Sequence, residues 1–175
     1  MSELVQRAMA FAITAHGAQT RKYTGEPYWK HLAEVAGILS TAAVVTPGMI
    51  AAAWLHDTVE DAGVSIETIV SEFGDEVARL VRGLTDISRP EDGDRAQRKA
   101  LDRKHLARGC AKTHTIKLAD LISNTGSIVT HDREFAKVYV QEKRALLEVL
   151  GKGDAHLQQM AWRVLEDAER SLAAC

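Results

Sequence analysis

Residues 54–61 read WLHDTVED, so an imidazole and three carboxylates follow directly on the apolar run AAAWL. Buried acids are costly unless they are paired or bind a metal. Residues four apart share a helix face, which stacks His56 with Glu60 and Asp57 with Asp61. A hard or borderline divalent cation can take His56 and Asp57 as ligands. Glu60 and Asp61 then stand one turn along, about 5.4 Å away, within reach of a water held by that ion. The plainer reading is a solvated acidic helix end. Acidic groups near a helix C-terminus oppose its dipole, which counts mildly against it.

A metal needs further ligands. The other histidines are His16, His31, His105, His114, His131 and His156. His31 follows PYWK at the start of an apolar helical pattern. Asp120 lies in TIKLADLISN, where an unpaired carboxylate would be expensive. Taken singly, His31 reads as a partly buried, hydrogen-bonded histidine, and Asp120 as a helix acid pairing with Lys117 at i−3. One metal would account for both together with HDxxED.

The elements that must position these groups are helical. Strand-like alternation is scarce and the chain has three prolines. Leu4, Val5, Ala8, Met9, Ala12 and Ala15 make one face of a first helix. GAQTRKYTGEP is a loop. A second helix is expected from Tyr28 to about Val45, burying Leu32, Val35, Ala36 and Leu39. Thr46-Pro47 reads as an N-cap with proline at the first helical position, opening a helix to about Asp61 that Gly63 stops. A short helix from Ser65 ends near Gly74, and another spans 75–85. SRPEDGDRAQRK leads into a charged helix up to about Ala107. RGCAKTH is a break, Thr115 to Ile128 is an apolar helix, and helices at about 132–150 and 154–173 flank Gly151-Lys152-Gly153. The expectation is an all-α globule of eight to nine helices, one domain over 1–175.

Bulk properties narrow the class. Hydrophobic residues make up 46% and charged residues 26% of the 175, and the net charge is −2. That charge argues against a protein built to bind nucleic-acid phosphates. The basic residues at 95–108 lack interleaved aromatics. Cys110 and Cys175 form no disulfide framework, and no basic, apolar leader opens the chain, so the expected location is the cytoplasm. No run reaches the roughly 20 apolar residues needed to cross a bilayer, so no membrane partner is expected. Oligomeric state is not legible.

HGAQTRKYTGEPYWKH, AAWLHDTVED, FGDEVARLVRGLTD and TIKLADLISNT resemble, in order, the motifs of the HD-type alarmone hydrolases. These are the hydrolase domains of RelA/SpoT-type enzymes and their free-standing relatives. The resemblance covers about residues 5–130, a metal core followed by C-terminal helices at about 132–173. It implies an HD-domain fold with metal ligands His31, His56, Asp57 and Asp120 and a catalytic pair Glu60 and Asp61. It implies nucleotide and phosphate contacts at Arg21, Lys22, Asn124 and, in a looser alignment, Tyr139. The family's usual metal is Mn²⁺, and the mixed nitrogen and oxygen donors would also hold Zn²⁺, Fe²⁺ or Co²⁺. The implied reaction is removal of the 3′-pyrophosphate from guanosine 3′,5′-bis(diphosphate) or its pentaphosphate form, a small-molecule nucleotide substrate. Where the long bifunctional enzymes show Arg and His, this chain has Leu121 and Ser123. No synthetase domain is expected in 175 residues.

Two other classes remain open at this level. One is an HD phosphohydrolase of a related nucleotide, such as an adenosine alarmone or NADPH. The other is a non-catalytic nucleotide-sensing HD module. The QRK of 97–99 either adds phosphate contacts or is a solvated helix face.

Overall fold

Helix starts follow from capping side chains. Thr46 accepts from Met49 N at 3.2 Å ahead of Pro47, Ser65 from Thr68 N at 3.1 Å, and Asp94 exchanges reciprocal bonds with Gln97 at 2.9 Å. Each satisfies amide donors that a helix N-terminus leaves without partners. The computed structural model describes residues 2–174, so Cys175 lies outside the described residues. Among them are nine α-helices, one 3-10 turn and no strand beyond a single bridge between Thr20 and Pro27. The all-α expectation holds.

The chain divides into two compact units, Met1–Thr85 and Asp86–Cys175. The first holds α1 (Glu3–His16), α2 (Trp29–Leu39), α3 (Pro47–Leu55), α4 (Thr58–Asp61) and α5 (Ile66–Leu84). Helix α3, PGMIAAAWL, packs against α1, α2 and α5. It is apolar all round and buried from Ala51 to Leu55, as a helix with neighbours on every side must be. Its run of alanines lets the surrounding helices approach closely.

In the second unit are α6 (Arg95–Ala107), α7 (Ala111–His131), α8 (Arg133–Val149) and α9 (Ala155–Ala173), after a 3-10 turn at Pro90–Asp92. Helix α7 packs on α8 and α9, and α8 also meets α6. Buried Asp102 fastens the entry segment. Its carboxylate accepts from Ile87 N at 3.0 Å, Ser88 N at 2.9 Å and Ser88 Oγ at 2.8 Å.

Three expected boundaries are corrected. Helix α2 ends at Leu39 rather than near Val45. The hydroxyls of Ser40 and Thr41 bond back to Ala36 O and Ile38 O, both at 2.8 Å, and the chain tightens into turns. Val44, inside the expected helix, lies beyond these turns and is 72% exposed. The helix expected from Pro47 to Asp61 breaks after Leu55, where Thr58 Oγ1 donates to Leu55 O at 2.7 Å and Asp57 adopts φ −97°, ψ −3°. Helix α7 begins at Ala111, four residues earlier than expected, because AKTH is helical and only Arg108–Cys110 breaks the chain.

The stop expected near Gly74 is a kink inside α5, with Gly74 at φ 82°, ψ 170°. Only glycine adopts that conformation without strain. No atom lies within 4 Å of where a Cβ would stand, so the constraint is conformational, not steric. Gly74→Ala is expected to destabilise the protein by about 1–3 kcal/mol, checked by urea denaturation.

Candidate metal centre

Two buried histidines reach the break between α3 and α4 from different elements. His31 sits in the first turns of α2, and His56 caps the end of α3. Their rings lie edge to face with centroids 5.4 Å apart. His56 Nδ1 lies 2.8 Å from Ala53 O. A carbonyl only accepts, so Nδ1 carries the proton and Nε2 presents its lone pair. That nitrogen lies 2.9 Å from Asp57 Oδ2, and His31 Nε2 lies 3.6 Å from the same oxygen. Two acceptors at 2.9 Å are held together by a proton or a metal cation between them. The donor atoms of His31, His56 and Asp57 all lie within 4.8 Å of one another, so the set could hold a metal ion. A ring whose far nitrogen is tied to a backbone carbonyl is the usual state of a histidine ligand.

Asp61 lies at the end of α4, and Tyr28 Oη donates to Asp57 Oδ2 at 2.7 Å and to Asp61 Oδ2 at 3.1 Å. Burial and the neighbouring Asp57 carboxylate push the Asp61 carboxyl above the ordinary range, against the stabilising Tyr28 bond. Glu60 and Asp61, on the same turn, are both exposed to solvent in part, the Asp61 carboxyl being half-buried. The continuous-helix stacking argument does not carry over unchanged, because the helix is interrupted at Asp57. Asp57 and Asp61 nonetheless meet at one hydroxyl.

Arg21 and Lys22 lie on the loop between α1 and α2. Arg21 pairs with Glu34 at 3.3 Å, and Lys22 Nζ lies over the Tyr23 ring at 4.8 Å. The remaining expected residues belong to the second unit. Asp120 is buried on α7, paired with Lys117 Nζ at 2.8 Å and accepting from Asn124 Nδ2 at 2.6 Å. Both helical spacings are therefore used. Tyr139, on α8, is buried. In the QRK segment, Gln97 caps α6, Arg98 donates to Gly93 O at 3.0 Å and Lys99 pairs with Asp86 at 2.7 Å.

A model of the HD domain matches residues 8–150. The chain belongs to the HD domain family. A probable guanosine-3′,5′-bis(diphosphate) 3′-pyrophosphohydrolase of Synechocystis sp. is 40% identical over 124 residues, 69% of this HD chain and 16% of that protein. The guanosine-3′,5′-bis(diphosphate) 3′-pyrophosphohydrolase MESH1 of Drosophila melanogaster is 38% identical over 118 residues, 66% of this chain and 64% of that one. The chain thus spans less than two thirds of either curated relative. A solved structure described as a metazoan ortholog of SpoT that hydrolyzes ppGpp superposes with a TM-score of 0.86 at 28% identity, covering 95% of this chain and 96% of that one.

Sequence reasoning passed over Tyr28 and Gln19 of this HD domain, which touch the expected set, and named His16 only among the histidines open as ligands. The signal available was that Tyr28 stands three residues before His31. It also passed over Lys143 on α8, whose Nζ lies 4.8 Å over the Tyr139 ring. Burial, with repulsion from Lys117 and Lys99 against the pull of Asp120 and Asp86, pushes the Lys143 ammonium down to about 8. Below that pH the ammonium is charged both folded and unfolded, and its burial penalty is fully present. Between there and the ordinary lysine value of about 10.4, the unfolded chain binds more protons and stability from this group rises with pH. Lys143→Met is expected to raise Tm at pH 7 by about 2–4 °C, a gain that narrows towards pH 10. Thermal melts at the two pH values check it.

Proposed function

We propose that this chain is a metal-dependent hydrolase that removes the 3′-pyrophosphate from guanosine 3′,5′-bis(diphosphate) alarmones, yielding pyrophosphate and a 3′-hydroxyl. The observation that carries the reading is the convergence of His31, His56 and Asp57, with Asp61 tied to Asp57 through one hydroxyl. The activities that name the fly and cyanobacterial relatives supply the substrate class. The proposal treats residues 1–175 as one functional domain acting in the cytoplasm. No helix of the described residues is long and apolar enough to cross a membrane.

His31, His56 and Asp57 would hold the ion, and the resemblance adds Asp120 to the ligand set. Mn²⁺ is the proposed metal, and the mixed imidazole and carboxylate donors suit it along with Zn²⁺, Fe²⁺ and Co²⁺. A bound divalent ion lowers the pKa of water and polarises a phosphoryl oxygen. The chain's own carboxylates do the proton work. Asp61, tied to Asp57 through the Tyr28 hydroxyl, is placed to accept a proton from the attacking water. Glu60, exposed beside it, is placed to orient water or pass a proton to the departing 3′-oxygen. Arg21 and Lys22 offset phosphate charge, the guanidinium with a two-pronged fork. Asn124 and Tyr139 are assigned to the nucleoside from the resemblance alone.

The test is a substrate panel with Mn²⁺ and chromatographic product identification. Guanosine and adenosine alarmones, NADPH and nucleoside monophosphates are compared. Pyrophosphate release from the guanosine alarmone is expected to dominate. Orthophosphate release from monophosphates with the alarmones intact would overturn the reading. Glu60→Gln is expected to retain its metal by elemental analysis and to lose turnover by about 10²–10⁴-fold. Wild-type protein that holds no metal, and that Mn²⁺ does not activate, would favour a sensing module.

A further inference from the structure

We propose that Tyr28 is a positioning residue of this site, its hydroxyl holding the Asp61 carboxylate against Asp57. The inference rests on the reading of Asp61 as one of the reacting acids. It starts from the weakness of α4, a single helical turn of four residues cut off from α3. One turn fixes several dihedrals for little hydrogen-bonding return, so it needs outside support. Asp57, at its N-cap position, makes no capping side-chain bond.

The support comes from the loop between α1 and α2. The loop closes on itself through Arg21 N to Glu26 O at 2.8 Å and Tyr28 N to Gln19 O at 2.9 Å. That closure delivers the Tyr28 ring between two imidazoles. His16 stacks on one face at 4.7 Å with 20° between planes, and His31 meets it edge-on at 5.7 Å. Ring contacts on two sides fix where the hydroxyl points. There it meets Asp57 Oδ2 at 2.7 Å and Asp61 Oδ2 at 3.1 Å. A phenol has one proton, so the two carboxylates share it. The shared proton offsets part of their mutual repulsion.

The same loop holds the main chain of Asp61. Gln19 Nε2 donates to Asp61 O at 2.6 Å. Its amide oxygen lies 2.7 Å from His16 Nδ1, which therefore donates to it. Gln19 thus orients the ring that stacks on Tyr28 while it grips the backbone of Asp61. Side chain and backbone of the acid are held by one loop, through Tyr28 and Gln19.

Tyr28→Phe removes the hydroxyl and leaves both ring contacts. With metal-loaded protein and guanosine 3′,5′-bis(diphosphate), kcat is expected to fall about 10–100-fold, the scale seen when a group behind a metal site is lost. KM and metal content are expected to stay within about twofold, because the hydroxyl is assigned to neither substrate binding nor ligation. Hydrogen exchange supplies a readout independent of turnover. Amides of residues 58–62 are expected to exchange faster, with those of α1 and α3 unchanged. Gln19→Ala is expected to accelerate exchange over the same residues. Unchanged kcat, a raised KM with kcat kept, or metal lost in step with activity would each overturn the proposal. If the wild-type protein cleaves no alarmone, the functional reading fails, and the exchange data then decide alone. Unaltered exchange at 58–62 in Tyr28→Phe overturns the positioning role.

Discussion

An imidazole lone pair and a carboxylate oxygen facing each other at 2.9 Å inside an apolar unit form the contact on which the rest of the first unit is organised. Neither His56 nor Asp57 could be placed there at random. Buried polar groups without compensation cost several kcal/mol each. The imidazole is turned by Ala53 O so that Nε2 must face Asp57. Helix α3 must be apolar all round to carry His56 that deep. The chain must break directly after it so that Asp57 turns back toward two histidines instead of continuing up a helix face. A site that could hold a cation at its centre leaves little room there for other side chains.

The second unit meets the same problem with a different solution. Asp102, Asp86 and Asp120 are each matched to amides, hydroxyls or lysines: Ile87 and Ser88 for the first, Lys99 for the second, Lys117 and Asn124 for the third. Lys143 stands apart, resting on an aromatic face with its charge opposed by two other lysines. Its ammonium is the element of that network least compensated by a direct contact.

Much of this was legible from residues alone. Thr46-Pro47, Ser65 and the Gly74 discontinuity are local signals, set by which side chain can cap and which residue tolerates positive φ. HDxxED marked the cluster at its densest point, and His31 was found from its place after PYWK. What periodicity could not show was the break at Asp57. A pattern of apolar spacing is the same for one helix as for two joined by a tight turn, and the hydroxyl of Thr58 that bonds Leu55 O leaves no trace in it. The overlong α2 failed for a related reason: its buried face ends at Leu39, and the serine and threonine that close the helix directly after it leave no mark in apolar spacing. Tyr28 and Gln19 were missed because their acidic partners lie 29 to 42 residues away in the chain. The pairing of Asp120 with Lys117 was readable at i−3, alongside the reading as a ligand.

The loop between α1 and α2 carries two cations, Arg21 paired with Glu34 and Lys22 exposed, and grips the acid through Gln19 and Tyr28. In an evolving lineage these two duties cannot drift apart. An insertion that reshapes the tip around Arg21 and Lys22 would also shift the bridge at Thr20 and Pro27, and with it the ring clamped between two imidazoles. Point changes at the tip therefore disturb the acid less than changes in the loop's length. Indel tolerance should be low in this loop even though much of it is exposed.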